Sequence, residues 1–454
     1  MFQKKSEYES EIKIPDSFAT KMSFVIMGFS NLAHKQIAKG LGYLMIELGF
    51  ILFMIMGGAQ NIINFITLGT VETHDEYVEG KILPIRVYGD NSMLFLLYGV
   101  LTIMIIAFFI FVWYTNIKSA RNLQKLEMQG KKIPSFKDDA RLLLDERFHV
   151  TILFLPILGI LAFSLLPTIY MVFVAFTNYD KSHQVPGNLF DWVGLENFSA
   201  TLFKDPRMST TFFHLLGWTI VWAFFATFTN YFAGIIVAII INQKGLKFKK
   251  LWRSILVLTI AMPQFISLLV MSQFFSNYGV VNRTLINMGL ISDVDHAIPF
   301  FEDPTLAKVT VIFVNMWIGI PHTMLMSSGI LMNIPQDLYE AATVDGANKF
   351  QMFFKITLPQ IIFTTTPYLI QTFIGNINNF NLIYLLTGGG PVASEYYSAG
   401  KTDLLVTWLY KLTSDNRDYS LASTIGILIF VISATLSLLT YRNTKSYKEE
   451  DAFQ

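Results

Sequence analysis

Residues 334–359 read IPQDLYEAATVDGANKFQMFFKITLP, a polar stretch set between two long apolar segments. Local rules divide it into two short helices. Pro335 suits a first helical turn, where its missing N–H would be unpaired anyway, and Gln336 to Val344 follow as a helix that Gly346 breaks. Asn348 with Gln351 three residues on is a capping pair that starts a second helix, apolar through Phe350, Phe353 and Phe354. Pro359 is expected to end that helix before the next apolar segment. A helix–turn–helix of this kind exposes an apolar face. Either it rests on lipid headgroups as a surface hairpin, or another protein covers it.

The flanking sequence places this stretch at a membrane. The chain has 454 residues, of which 53% are hydrophobic and 15% charged, with a mean hydropathy of +0.46. Soluble domains carry about a quarter charged residues, so the composition is that of an integral membrane protein. Apolar windows near the spanning length of about 20 residues lie at 41–65, 93–114, 151–176, 212–241, 251–274, 306–331, 361–386 and 421–441. They predict an all-α membrane protein with about eight transmembrane helices. The shorter SFVIMGFSNLA (23–33) predicts an interfacial helix leading into the first span.

Basic residues give the orientation. Lys118, Arg121, Lys125, Lys131, Lys132, Lys137, Arg141 and Arg147 lie in 115–149, and Lys244, Lys247, Lys249, Lys250 and Arg253 in 242–253. The alternate segments are poorer: 66–92 has Lys81 and Arg86, and 275–305 has Arg283. Both termini and residues 334–359 are therefore expected in the cytoplasm, and 177–211, 275–305 and 387–420 outside. The domain reading is an N-terminal cytoplasmic or interfacial segment (1–40), two additional transmembrane helices (41–114), a basic cytoplasmic loop (115–149), a six-helix core (150–441) and a cytoplasmic tail (442–454).

Several functions are disfavoured. A net charge of +1 gives no support to nucleic-acid binding, and the absence of cysteine removes disulfides, thiolate metal sites and cysteine nucleophiles. The N-terminal MFQKKSEYESEIKIPD lacks the apolar core of a secretory signal. No second histidine or carboxylate lies within one helical turn of His322, so no metal is assigned. Glu47 stands alone in the first span, either as an ion-coupling site or facing a neighbouring polar group. An ion-coupled sugar carrier would need more charge at mid-depth, and a membrane glycosyltransferase a metal-binding carboxylate pair that is not found. No catalytic residue and no cofactor are expected.

Glu340-Ala341-Ala342, Gly346, and then Ile356, Leu358 and Pro359 resemble the EAA–Gly–Ile-x-Leu-Pro motif of ABC-importer permeases. The resemblance implies that the two short helices (within 334–359) couple to a cytoplasmic ATPase dimer, with Glu340 facing it. The chain has no GxxxxGK phosphate loop of its own. AFTNYD (175–180), WVGLENF (192–198), LLTGGGP (385–391) and KTDLLVTWLY (401–410) extend the likeness, from about residue 140 onward, to the larger membrane subunit of maltose/maltodextrin importers. That family implies a type I importer fold in a bacterial plasma membrane. Its partners would be a second homologous permease subunit, an extracellular sugar-binding protein and membrane lipid, and its substrate an oligosaccharide. A galacto- or raffinose-type sugar is the alternative to maltodextrins. The 177–211 loop is short and lacks the large folded insertion that some maltose permeases carry there.

The expected sugar site lies in GNINNFNLIYLL (375–386) and in the sixth span. On a continuous helix, Thr372, Asn376, Asn379 and Ile383 share one face, while Asn378 and Asn381 point the other way. Asn315, Ile318, Gly319 and His322 form a matching stripe. Neutral amides donate and accept hydrogen bonds as sugar hydroxyls require. They also tie helices together, the role expected of Asn378 and Asn381. The resemblance places Asn315, Ile318, Gly319, His322, Thr372, Gly375, Asn376 and Asn379 around the substrate. His322 and Gly375 depart from the family pattern, which has tyrosine and phenylalanine there. Trp317 is a further ring near this site.

Overall fold

The computed structural model describes residues 15–77, 84–243 and 245–442. Residues 1–14 of the N-terminal segment, Lys81, Lys244 and all but the first residue of the 442–454 tail lie outside the described residues. The chain divides into two units: residues up to Phe173 with Ser182–Trp192, and Val174–Lys181 with everything from Val193.

In the first unit, α1 (Phe18–Met22) and α2 (Phe29–Ala33) precede α3 (Ile37–Phe53), which runs through a π-helical turn at Met54–Gly58 into α4 (Ala59–Thr67). A small hairpin, β1 (His74–Glu76) with β2 (Ile85–Val87), leads to α5 (Ser92–Met128). Then come α6 (Phe136–Leu144), α7 (Phe148–Ile160) and α8 (Leu166–Val174). The expected helix over 23–33 is instead a turn over 23–28, following α1, and then the short α2. That turn is anchored on α5: Asn116 accepts from the Gly28 N–H at 2.9 Å and donates to the Ser23 carbonyl at 2.8 Å. Glu47 accepts the Met27 N–H at 2.8 Å. Of its two readings, the neighbouring polar group is the one found. Nor is 115–149 a loop, since α5 continues to Met128 and α6 follows.

The second unit contains α9 (Glu196–Ser199), α10 (Pro206–Asn242), α11 (Lys249–Ala261), α12 (Gln264–Phe274), α13 (Val280–Asn287), α14 (Pro304–Asn333), α15 (Gln336–Val344), α16 (Lys349–Met352), α17 (Leu358–Ile377), α18 (Phe380–Thr387), α19 (Leu405–Ser414) and α20 (Tyr419–Arg442). The two central helices start alike. Asp205 caps α10 by accepting from Arg207 and Met208 N–H, and Asp303 caps α14 from Thr305 and Leu306 N–H, each with proline as the next residue. Trp218, Trp222, Val311, Val314, Leu382 and Ile383 form one buried cluster; Phe212, Leu215, Trp408, Leu412, Leu421 and Ile425 form another.

Among the described residues, six helices are long and apolar enough to cross a membrane: Ile37–Thr67, Ser92–Met128, Phe148–Val174, Pro206–Asn242, Pro304–Asn333 and Tyr419–Arg442. The all-helical membrane class holds, but two of the expected spans are broken. The 251–274 segment bends by 96° between α11 and α12. Pro263 cannot continue the ladder and holds Met262 in an extended conformation (ψ 135°). The 361–386 segment stops at Asn378 and restarts at Phe380.

Candidate functional site

The second break falls among the asparagines. Asn378 ends α17, and Asn379 caps α18, its side chain accepting from the Leu382 N–H at 3.4 Å. Asparagine serves as a cap because its short side chain replaces a backbone partner. The four amides therefore do not ride on one helix, and the face drawn through Asn376, Asn379 and Ile383 is not a continuous one. Asn378 and Asn381 are exposed, and Asn378 donates only to the Ile374 carbonyl of its own helix, at 3.2 Å. Among the described residues they tie no helices together, contrary to the expectation. Asn376 does so instead: its Nδ2 donates to Thr227 Oγ1 on α10 at 3.0 Å, and Trp222 Nε1 donates to its backbone carbonyl at 3.1 Å.

Next to this junction lies a cavity of about 420 Å³, bordered by α10, the α11–α12 bend, α14 and α17. Asn315, Ile318, Gly319, His322, Thr372, Asn376 and Asn379 line it. Gly375, the eighth expected position, is exposed and does not. Trp317 is 53% exposed and also outside the lining. The helix breaks supply residues that periodicity alone did not find. Thr259, Gln264 and Ser267 enter at the bend, Thr227, Asn230 and Tyr231 come from α10, and Tyr368 from α17. One signal for them was present: Pro263-Gln264 interrupts an apolar run, and interrupted helices often flank binding sites in transporters.

Among the described residues, the cavity wall carries no Asp, Glu, Lys or Arg. It presents amides, hydroxyls and one imidazole, a donor and acceptor set suited to a neutral polyhydroxylated ligand. Its size falls within the roughly 300–1,000 Å³ range of ligand clefts. Tyr231 is buried, with its hydroxyl paired to Thr365 Oγ1 at 2.6 Å, and half-buried Tyr368 presents the more accessible ring. No group of three or more His, Cys or acidic side chains suited to a metal occurs among the described residues.

The paired short helices form as read. Gln336–Val344 is helical, Gly346 takes φ +80°, and Asn348 and Gln351 exchange both bonds of a capping box at 2.8 and 2.9 Å. Pro359 is a correction. It ends no helix, because it sits in the first turn of α17, and a π-helical turn at Phe353–Thr357 joins α16 to α17. The wider turn lies where the proline ring would otherwise crowd the carbonyl four residues back. Tyr339 Oη pairs with Thr357 Oγ1 at 2.8 Å and ties α15 to that turn. Glu340, Ala341, Gly346 and Pro359 are exposed, while Ala342, Ile356 and Leu358 are half-buried. Val344 and Phe350 stand 88% and 77% exposed.

A family model described as "Binding-protein-dependent transport system inner membrane component" matches residues 230–445. The galactooligosaccharides transport system permease protein GanP of Bacillus subtilis (strain 168) is 36% identical over 430 residues, covering 94% of this chain and 97% of the relative. The chain belongs to this family of transport-system inner membrane components. The maltodextrin transport system permease protein MalC of Streptococcus pneumoniae serotype 4 is 33% identical to the permease over 434 residues, covering 94% and 96% of the two chains. A crystal structure of a bacterial alginate ABC transporter in complex with alginate pentasaccharide-bound periplasmic protein shares the permease's fold. It has a TM-score of 0.53 at 23% identity, covering 66% of this chain and 94% of that one. The permease is thus a multi-pass membrane transport subunit of the type I fold.

Proposed function

We propose that this permease forms the translocation path of an ATP-driven importer for oligosaccharides, with maltodextrins as its substrate. The observation that carries the reading is the uncharged cavity lined by Asn230, Asn315, His322, Thr372, Asn376 and Asn379. Amides and hydroxyls bind neutral sugars without the desolvation cost of charged groups in a membrane. In this reading a second homologous permease completes the path, and an extracellular binding protein delivers the sugar. A cytoplasmic ATPase dimer grips α15 and α16, covering Val344 and Phe350 and meeting Glu340. Both termini lie in the cytoplasm. ATP hydrolysis belongs to the ATPase partner, and alternating access follows from its movement of the paired helices.

A galactooligosaccharide is the second reading. It is favoured by the named relative and by the two departures from the maltose-type pattern at His322 and Gly375. The test is uptake of labelled maltotriose and galactotriose into proteoliposomes holding the purified complex, its binding protein and internal ATP. Maltotriose uptake that requires ATP is the expected result. Uptake of neither sugar, or uptake without ATP, overturns the proposal, while galactotriose alone selects the second reading.

A further inference from the structure

The asparagines of the cavity differ in what already holds them. Asn315 Nδ2 donates to the Ala226 carbonyl at 3.3 Å, Asn376 Nδ2 to Thr227 at 3.0 Å, and Asn379 Nδ2 to Asn376 Oδ1 at 3.4 Å. Asn230, on α10, is different. The residue is only 8% exposed, and its Oδ1 finds no hydrogen-bond donor among the described residues. An amide buried without its bond is costly, and native proteins keep few of them. The cost is offset in any state where a ligand supplies the missing partner.

Gly319, on α14, creates the seat for this amide. A methyl group at Gly319 would fall 2.0 Å from Asn230 Nδ2 and 2.5 Å from its Cγ, and the three nearest atoms all belong to Asn230. The absence of a side chain at Gly319 is therefore what lets the Asn230 amide sit where it does. An asparagine amide carries both donors and an acceptor, so a sugar hydroxyl that reaches it can supply the missing partner.

We infer that Asn230 is the specificity-determining amide of the cavity, hydrogen-bonded by a hydroxyl of the transported sugar, and that Gly319 acts by seating Asn230 and not by touching the sugar itself. The inference rests on the proposal that this cavity holds the substrate. It changes the role read for Gly319 from its helical stripe and adds a residue that the stripe did not contain.

The test is equilibrium dialysis of labelled maltotriose and galactotriose against the purified importer complex, with the yield of assembled complex measured alongside. Asn230→Ala should weaken retention of the bound sugar about tenfold, the scale of one lost buried hydrogen bond, with assembly retained. Gly319→Ala should weaken it comparably by displacing the amide. In the Asn230→Ala background, Gly319→Ala should cost little more, because the side chain it collides with is gone. Losses that add would show the two residues acting separately and overturn the seating role. Loss of assembly with unchanged retention per assembled complex would make Asn230 a structural clamp. Thr372→Val and His322→Ala separate this inference from the reading beneath it. If they weaken retention and Asn230→Ala does not, the inference alone fails; if none of the variants changes retention, the cavity is not the sugar site.

Discussion

Gly389 lies against the carboxylate of Asp403 so closely that a methyl group on it would fall 1.9 Å from Oδ1. Gly389 also takes φ +81°, in the left-handed region. Asp403 is fully buried, and its Oδ2 accepts from the Gly400 N–H at 2.7 Å and from Lys411 Nζ at 2.6 Å. The GGGP segment after α18 is therefore the packing surface of a buried ion pair as well as a turn. Gly389→Ala should cost of order 1–2 kcal/mol from backbone conformation alone, with the clash adding to it. Thermal unfolding of the purified permease would register this as a lower midpoint. A midpoint equal to the parent's would overturn both the backbone cost and the clash.

Burial pushes the Asp403 carboxyl above the usual carboxylate range, against the opposing pull of Lys411 and the Gly400 N–H. An acid whose folded pKa is raised favours folding in its protonated form. That contribution is fully present below the unfolded value, about 3.9 for aspartate, and is lost as pH rises through the raised folded value. Stability should therefore decline over that window, and Asp403→Asn should flatten the decline. Unfolding midpoints of both proteins across the window check it; parallel curves would remove Asp403 from the pH dependence.

At Gly346 the only obstacle to a side chain is the backbone. Its φ is +80°, and an added Cβ would meet nothing within 4 Å among the described residues. Gly346→Val should disturb the turn between α15 and α16 by about 1–2 kcal/mol, sparing membrane insertion while lowering ATPase association and transport. Pull-down of the ATPase with the variant is the measurement. Full association and transport would reduce these helices to a surface hairpin.

Asn376 holds α17 to α10 and also lines the cavity, so Asn376→Leu should lower both complex yield and transport. The buried Thr227 hydroxyl left unpaired costs about 1–3 kcal/mol. Asn378→Leu and Asn381→Leu change exposed side chains and should leave yield and transport of the isolated chain's complex near the parent's. Yield and uptake measured for the three variants decide the matter. A collapse in yield for Asn378→Leu would mean that this face is covered by the second permease and not by lipid.

Glu47 accepts the Met27 N–H, and a glutamine carbonyl can accept the same bond. Glu47→Gln should therefore keep ATP-driven uptake at close to the parental rate. Uptake in proteoliposomes with and without a protonophore is the assay. A variant that loses transport, with a parent that responds to the protonophore, would make Glu47 a coupling site.

Short-range features were legible in the sequence because they are fixed by neighbours along the chain. The capping pair Asn348–Gln351, the turn at Gly346 and the helix over Gln336–Val344 depend on bonds spanning three or four residues. The stripe Asn315, Ile318, Gly319 and His322 was likewise readable, since α14 is unbroken there and all four line one cavity. The stripe on 361–386 was less so. Its geometry assumed a helix that Asn378 and Asn379 interrupt, and Gly375, on α17 before that break, lies outside the cavity lining.

By itself the sequence determined an all-helical membrane permease with paired helices between its sixth and seventh apolar segments. Hydropathy records how much of each segment avoids water, and capping and turn chemistry are local. Tertiary structure alone decided the 96° bend at Met262–Pro263, the restart of the helix at Phe380 and the placement of Asn230 over Gly319. The reason is physical. A polar residue in an apolar run must find partners, but periodicity does not say whether they lie on the same helix, on a neighbour or in a cavity. Asn378 bonds its own helix, Asn376 bonds a neighbouring one, and Asn230 Oδ1 has no partner among the described residues, and only the packing of α10, α14 and α17 distinguishes them.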